Sequence, residues 1–115
     1  MSKIFEDLAT WQKAKDLSIL VYHLFKNNKD FRFRDQICSA AVSVMNNIAE
    51  GYERHSNKEF THFLYIAKGS CGEVRSMSYL ALELEYISRI EFNGLNETAI
   101  ENSKMIYGLI KSINK

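Results

Sequence analysis

The sequence predicts an all-α protein, an antiparallel up-down-up-down four-helix bundle spanning residues 1–115 as a single domain. Three observations carry this expectation. The chain has no proline and only five glycines, so the closely spaced turns of an all-β fold are missing. Apolar residues recur at steps of three and four through four separate segments. The breaks between those segments are short, which sets consecutive helices side by side in opposite directions. At 115 residues and 46% apolar content, one such bundle can bury a core without disulfides or metal.

A first helix is expected from about Phe5 to Lys26, with Leu8, Trp11, Ala14, Leu17, Val21, Leu24 and Phe25 as its stripe. Ile19 falls in the polar sector with Gln12, Asp16 and His23. It is either a single exposed isoleucine or the mark of a second buried face. Asn27 to Asp30 reads as a turn, and the second helix runs from about Arg32 to Tyr52 on Ile37, Ala41, Val44, Ile48 and Tyr52. Opposite that stripe lie Gln36, Ser39, Ser43, Asn46, Asn47 and Glu50. A freely solvated face usually carries lysine and glutamate, whereas this nearly uncharged row suits cover by another helix or subunit; a merely polar exposed face is the alternative.

Gly51 loosens or ends the second helix, and Ser56-Asn57-Lys58-Glu59 fits a capping box that opens the third. That helix is expected to reach about Ser88, with Phe60, Phe63, Leu64, Ala67, Cys71, Val74, Met77, Ser78 and Ala81 in near-heptad order. Gly69 and Gly72 lie within it, on the side of Tyr65, Ser76, Tyr79 and Glu83. Each glycine costs about 1 kcal/mol relative to alanine in a helix interior, so a close neighbour is expected there. Phe92-Asn93-Gly94 reads as a break, and a fourth helix is expected from Leu95 or Asn96 onward on Ala99, Met105, Ile106, Leu109, Ile110 and Ile113.

Chemistry-bearing constellations are sparse. Glu59-Phe60-Thr61-His62 is a Glu-x-x-His, but a di-iron bundle needs two such motifs and further glutamates. His23 and His55 have no ligand-spaced partners. Cys38 and Cys71 lack paired zinc spacing and a helix-neighbouring histidine, so both read as buried free thiols. No glycine-rich phosphate loop follows a strand. The expectation is therefore a non-enzyme with no catalytic residue, metal or cofactor. Met1 to Trp11 lacks the pattern of a signal peptide or anchor, and no later run has the length of a membrane span, so a cytoplasmic protein away from membranes is expected.

Fifteen Lys and Arg against fourteen Asp and Glu give a net charge of +1, so any basic surface must be local. Arg54, His55 and Lys58 cluster at the second junction, Lys68 and Arg75 lie seven apart on the third helix, and Lys111 and Lys115 lie four apart near the end. Such groups suit phosphate contacts, although solvated surface is the commoner use of them.

The runs FEDLATWQKA, QICSAAVSVMNNIAEG and NKEFTHFLYIAKGSCGEV together resemble the four-helix-bundle family known as 23S rRNA intervening-sequence proteins. Gln36, Asn47 to Gly51, Glu59, Phe60, Phe63, Leu64, Ile66 to Ser70 and Glu73 stand at that family's pattern positions. Cys38 and Ser39 stand where relatives often carry a basic pair, and Met45 where a proline is usual. The resemblance implies a bacterial homopentamer, with Ile19, Gln36, Ser43, Asn46, Asn47, Glu50, Gly69 and Gly72 at helix or subunit interfaces. It also implies RNA or DNA binding in an accessory role, for which this chain's own basic residues Arg54, His55, Lys58, Lys68 and Arg75 are the expected positive set. A scaffold that recruits another protein without touching nucleic acid is the second expectation, favoured by the near-neutral charge.

Overall fold

The computed structural model describes residues 4–115. A short 3-10 turn at Phe5–Asp7 leads into α1 (Ala9–Phe25), followed by α2 (Phe31–Tyr52), α3 (Asn57–Glu83) and α4 (Arg89–Ile113). Each helix packs on its sequence neighbours, and α1 closes the square against α4. Cross-helix contacts run in opposite order along each pair. Ser18 meets Ala41 while Phe25 meets Phe33, and Cys71 meets Ala99 while Tyr79 meets Phe92, so successive helices are antiparallel. The bundle measures 43 × 21 × 20 Å.

The core is the stripe set read from the sequence. Ala14, Leu17 and Val21 of α1, Ile37, Ala41, Val44 and Ile48 of α2, Leu64, Ala67 and Val74 of α3, and Ala99 and Ile106 of α4 are fully buried. Burying a Leu, Ile or Val side chain stabilises the fold by about 1.5–3 kcal/mol, so these layers dominate the favourable side of folding. Edge-to-face rings close the two ends: Phe25, Phe33 and Tyr86 at one, Tyr52 and Phe60 at the other.

Two expected boundaries are wrong, for one reason. α3 stops at Glu83 instead of reaching Ser88, and α4 starts at Arg89 instead of Leu95 or Asn96. Glu85 takes a left-handed conformation at φ 59°. The Tyr86 N–H then reaches back to the Ala81 carbonyl at 2.8 Å and the Glu85 N–H to that of Leu82 at 3.0 Å, a Schellman termination built without glycine. Ser88 and Glu91 form a complete capping box: the Ser88 hydroxyl accepts from the Glu91 N–H at 3.1 Å, and the Glu91 carboxylate from the Ser88 N–H at 2.9 Å. Phe92-Asn93-Gly94 is therefore helical, held by Phe92 and Leu95 pointing into the core. At Ser56 the box is half made. Its hydroxyl caps the Glu59 N–H at 3.1 Å, while the Glu59 carboxylate turns to Arg54 at 3.6 Å.

Candidate functional site

The neutral row on α2 divides in two. Ser43 shares a 2.9 Å hydrogen bond with Ser70 of α3, the Asn47 amide donates to the Ser43 carbonyl at 2.8 Å and hydroxyl at 2.9 Å, and Gln36 donates to Glu73 at 3.2 Å. Ser43 and Asn47 are half-buried, with Ser43 bonded to α3 of its own chain, while Gln36 reaches α3 but stays exposed. Asn46 and Glu50 are exposed, and Glu50 binds Arg54 at 3.0 Å. Ile19 is 60% exposed beside Tyr22 at 51%, along an open groove on the outer side of α1.

Glycine roles differ from those expected. Among the described residues, nothing beyond the local backbone of α3 lies within 4 Å of where a Cβ would stand on Gly69 or Gly72, so none of them supplies the close neighbour expected at each. The close approach falls at Gly51, where a Cβ would stand 2.7 Å from the Phe63 Cβ and 3.0 Å from the Phe60 ring. Gly51 is buried in the last turn of α2, and it seats α3 rather than merely ending α2.

The proposed positive residues also separate. Arg54 is held by Glu50 and Glu59 and lies over the Phe63 ring, so its charge is largely balanced. His55 and Lys58 are exposed around the α2–α3 junction. Lys68 and Arg75 come together with Ser103, Lys104 and Tyr107 of α4 around an open cleft of about 270 Å³. Lys68 and Lys111 both approach the Tyr107 ring, at 5.9 and 5.6 Å to its centre. One helical turn beyond Arg75, Tyr79 stands edge-on to Phe92, over which Arg89 lies. Among the described residues, none of Lys68, Arg75, Arg89, Lys104 and Lys111 has a carboxylate within 4.0 Å. The Arg75 Nε is shielded from solvent with no acceptor.

This seam is basic because the carboxylates of α3 and α4 are engaged elsewhere. Glu73 takes Gln36, Glu101 takes Lys13 at 3.0 Å, Glu59 takes Arg54 and Glu91 caps α4, which leaves Glu83 and Glu97. Lys104 and Arg89 were absent from the expected positive set, because their partners in space come from a different helix. Heptad spacing pairs Lys68 with Arg75 in the sequence, but only α3–α4 packing adds the others.

The thiols are structural. Cys71 is fully buried, donates to the Ala99 carbonyl at 3.0 Å, and has its pKa pushed up to about 11 by burial. Cys38 is also raised by burial. At neutral pH both are thiols rather than the thiolates that nucleophilic chemistry needs. Among the described residues no three of His, Cys, Asp and Glu converge as a metal ion would require, and no helix is long and apolar enough to cross a membrane.

Fold and seam together define an all-α four-helix bundle whose distinctive surface is basic and aromatic. Residues 6–108 match the 23S rRNA-intervening sequence protein model, and the chain belongs to that family. A similar solved fold is that of a protein of unknown function from the S23 ribosomal protein family of Bacteroides thetaiotaomicron. It superposes with a TM-score of 0.84 at 24% identity, covering 90% of this chain and 99% of that one. Among curated proteins, none matches the chain.

Proposed function

We propose that this chain is a non-enzymatic, cytoplasmic helical module that self-associates, as a pentamer, and binds structured RNA or DNA as an accessory factor through phosphate contacts. The observation that carries the reading is the α3–α4 seam, where Lys68, Arg75, Arg89, Lys104 and Lys111 stand without ion-pair partners. Unpaired cations along one groove of a nearly neutral protein are the arrangement that trades counterions with a phosphate backbone. Lys58, in heptad step with Tyr65, Gly72 and Tyr79, extends the same side of α3 toward the α2–α3 junction. Arg54 is dropped from the set. The family's name, which refers to an intervening sequence of 23S rRNA, agrees in kind.

A second reading, a protein-binding scaffold, draws on the exposed apolar pair Ile19 and Tyr22. Light scattering coupled to gel filtration, alone and with a labelled structured RNA at low and moderate salt, tests both. A mass near five subunits with salt-sensitive co-elution is expected. Replacing Lys68, Arg75 and Lys104 by glutamine should lower the slope of log affinity against log salt by about 2 to 3, at roughly 0.7–0.9 per lost phosphate contact. An oligomer indifferent to RNA and DNA at both salts leaves the scaffold.

A further inference from the structure

Three tyrosines accompany the cations of the α3–α4 seam. Tyr65, Tyr79 and Tyr107 are 53%, 52% and 47% exposed, an unusual amount of aromatic surface to leave in water beside free charge. Tyr107 lies between Lys68 and Lys111, Tyr79 is fixed edge-on by Phe92, and Tyr65 is one turn before Lys68. Between Tyr65 and Tyr79 the same side of α3 carries Gly72 and Ser76, with open space above the Gly72 Cα. The surface is thus a shallow floor bordered by aromatic rings and unpaired cations.

We infer that this seam takes an unpaired stretch of nucleic acid, its phosphates on Lys68, Arg75, Lys104 and Lys111 and its bases stacked on Tyr107, Tyr79 and Tyr65. The inference rests on the phosphate-binding reading above and narrows it. A duplex offers the same phosphates, but its bases are stacked on one another and present no faces to these rings. A single strand supplies both partners at once, which is the combination used by proteins that track unpaired strands. Tyr65 and Tyr79 are about 21 Å apart along the helix axis at 1.5 Å per residue.

The test is fluorescence anisotropy with labelled oligouridine of about 20 nucleotides, a duplex of equal length, and heparin as a competitor that carries charge without bases. Two full-length variants are compared with the parent protein after circular dichroism has shown native helix content. In one, Tyr65, Tyr79 and Tyr107 become leucine; in the other, Lys68, Arg75 and Lys104 become glutamine. The tyrosine variant should bind oligouridine about tenfold or more weakly, with duplex binding and the heparin competition curve for the duplex unchanged. The charge variant should weaken on every probe. Duplex bound as tightly as oligouridine, with both indifferent to the tyrosine changes, overturns the single-strand inference and leaves phosphate binding standing. If the parent protein binds neither probe at low salt, the phosphate-binding reading falls as well. A Tyr107→Leu variant alone, which keeps two of the three rings, should show an intermediate loss on oligouridine; none at all also counts against stacking.

Discussion

At the scale of single residues, the positions that matter most are those whose partners come from another helix. Gly51 is the clearest. A methyl group there would stand 2.7 Å from the Phe63 Cβ, an atom fixed to the α3 backbone, so Gly51→Ala should force α2 and α3 apart and cost about 1–3 kcal/mol by urea denaturation. Asp30 is a second such position. One carboxylate oxygen caps α2 through the Phe33 N–H at 3.2 Å, and the other accepts from the Tyr86 hydroxyl at 2.6 Å, joining the α1–α2 turn to the α3–α4 turn. The Tyr86 hydrogen bond, then the Phe33 N–H, hold the Asp30 pKa below its usual value, while the same contact with Asp30 raises that of Tyr86. The signs differ. The Asp30 contribution is fully present above its unfolded pKa of about 3.9 and fades as pH falls through the lowered folded value. The Tyr86 contribution is fully present below about 10 and fades as pH rises through the raised one. Melting temperature against pH should therefore lose this increment at both ends, and Tyr86→Phe should flatten both flanks relative to the parent protein. Neither position was legible in the sequence. Asn27 to Asp30 read correctly as a turn, but nothing local shows that Asp30 meets a residue 56 places away.

At the scale of elements, the sequence revealed helix interiors and misplaced one junction. Periodicity located the buried stripes because burial repeats every turn and leaves many residues to agree. A boundary depends on one or two residues, and here the informative pair was outweighed by a glycine. Ser88-Arg89-Ile90-Glu91 carries the capping-box signature in plain view, yet Asn93-Gly94 looked like the stronger stop. Two predictions belong to this junction. Ser88→Ala removes the hydroxyl that satisfies the Glu91 N–H and should cost about 1 kcal/mol. Glu85 occupies a left-handed position that costs a side-chain-bearing residue roughly 1–2 kcal/mol and glycine little. Glu85→Gly should therefore stabilise the protein by about 1 kcal/mol even though it adds a glycine, a gain that chemical denaturation would register. A loss instead would mean that the Glu85 side chain contributes more at this turn than its backbone costs.

At the scale of the whole molecule, the question is what the outer surface is for, and the helix-interior glycines give a way to ask it. Gly69, Gly72, Gly94 and Gly108 all have open space where a Cβ would stand, so each alanine replacement should stabilise its helix by about 1 kcal/mol. Stability alone does not explain why all four remain glycine. Gly108 lies one helical turn from both Lys104 and Lys111 of the basic seam, Gly94 is exposed near the start of α4, and Gly69 and Gly72 share a side of α3 with Tyr65 and Tyr79. A Gly94→Ala protein should gain stability and bind labelled RNA as the parent protein does. A Gly69→Ala/Gly72→Ala protein should gain similar stability but bind RNA several-fold more weakly, because two methyl groups rise from the floor proposed to carry the strand. A fall in oligomer mass for that pair, with RNA affinity intact, would transfer this face of α3 from nucleic acid to a neighbouring subunit. The sequence exposed the oddity of glycines inside a helix, but not its resolution. On the proposed reading their use is set by what meets the surface from outside, and periodicity reports only on what the chain buries within itself.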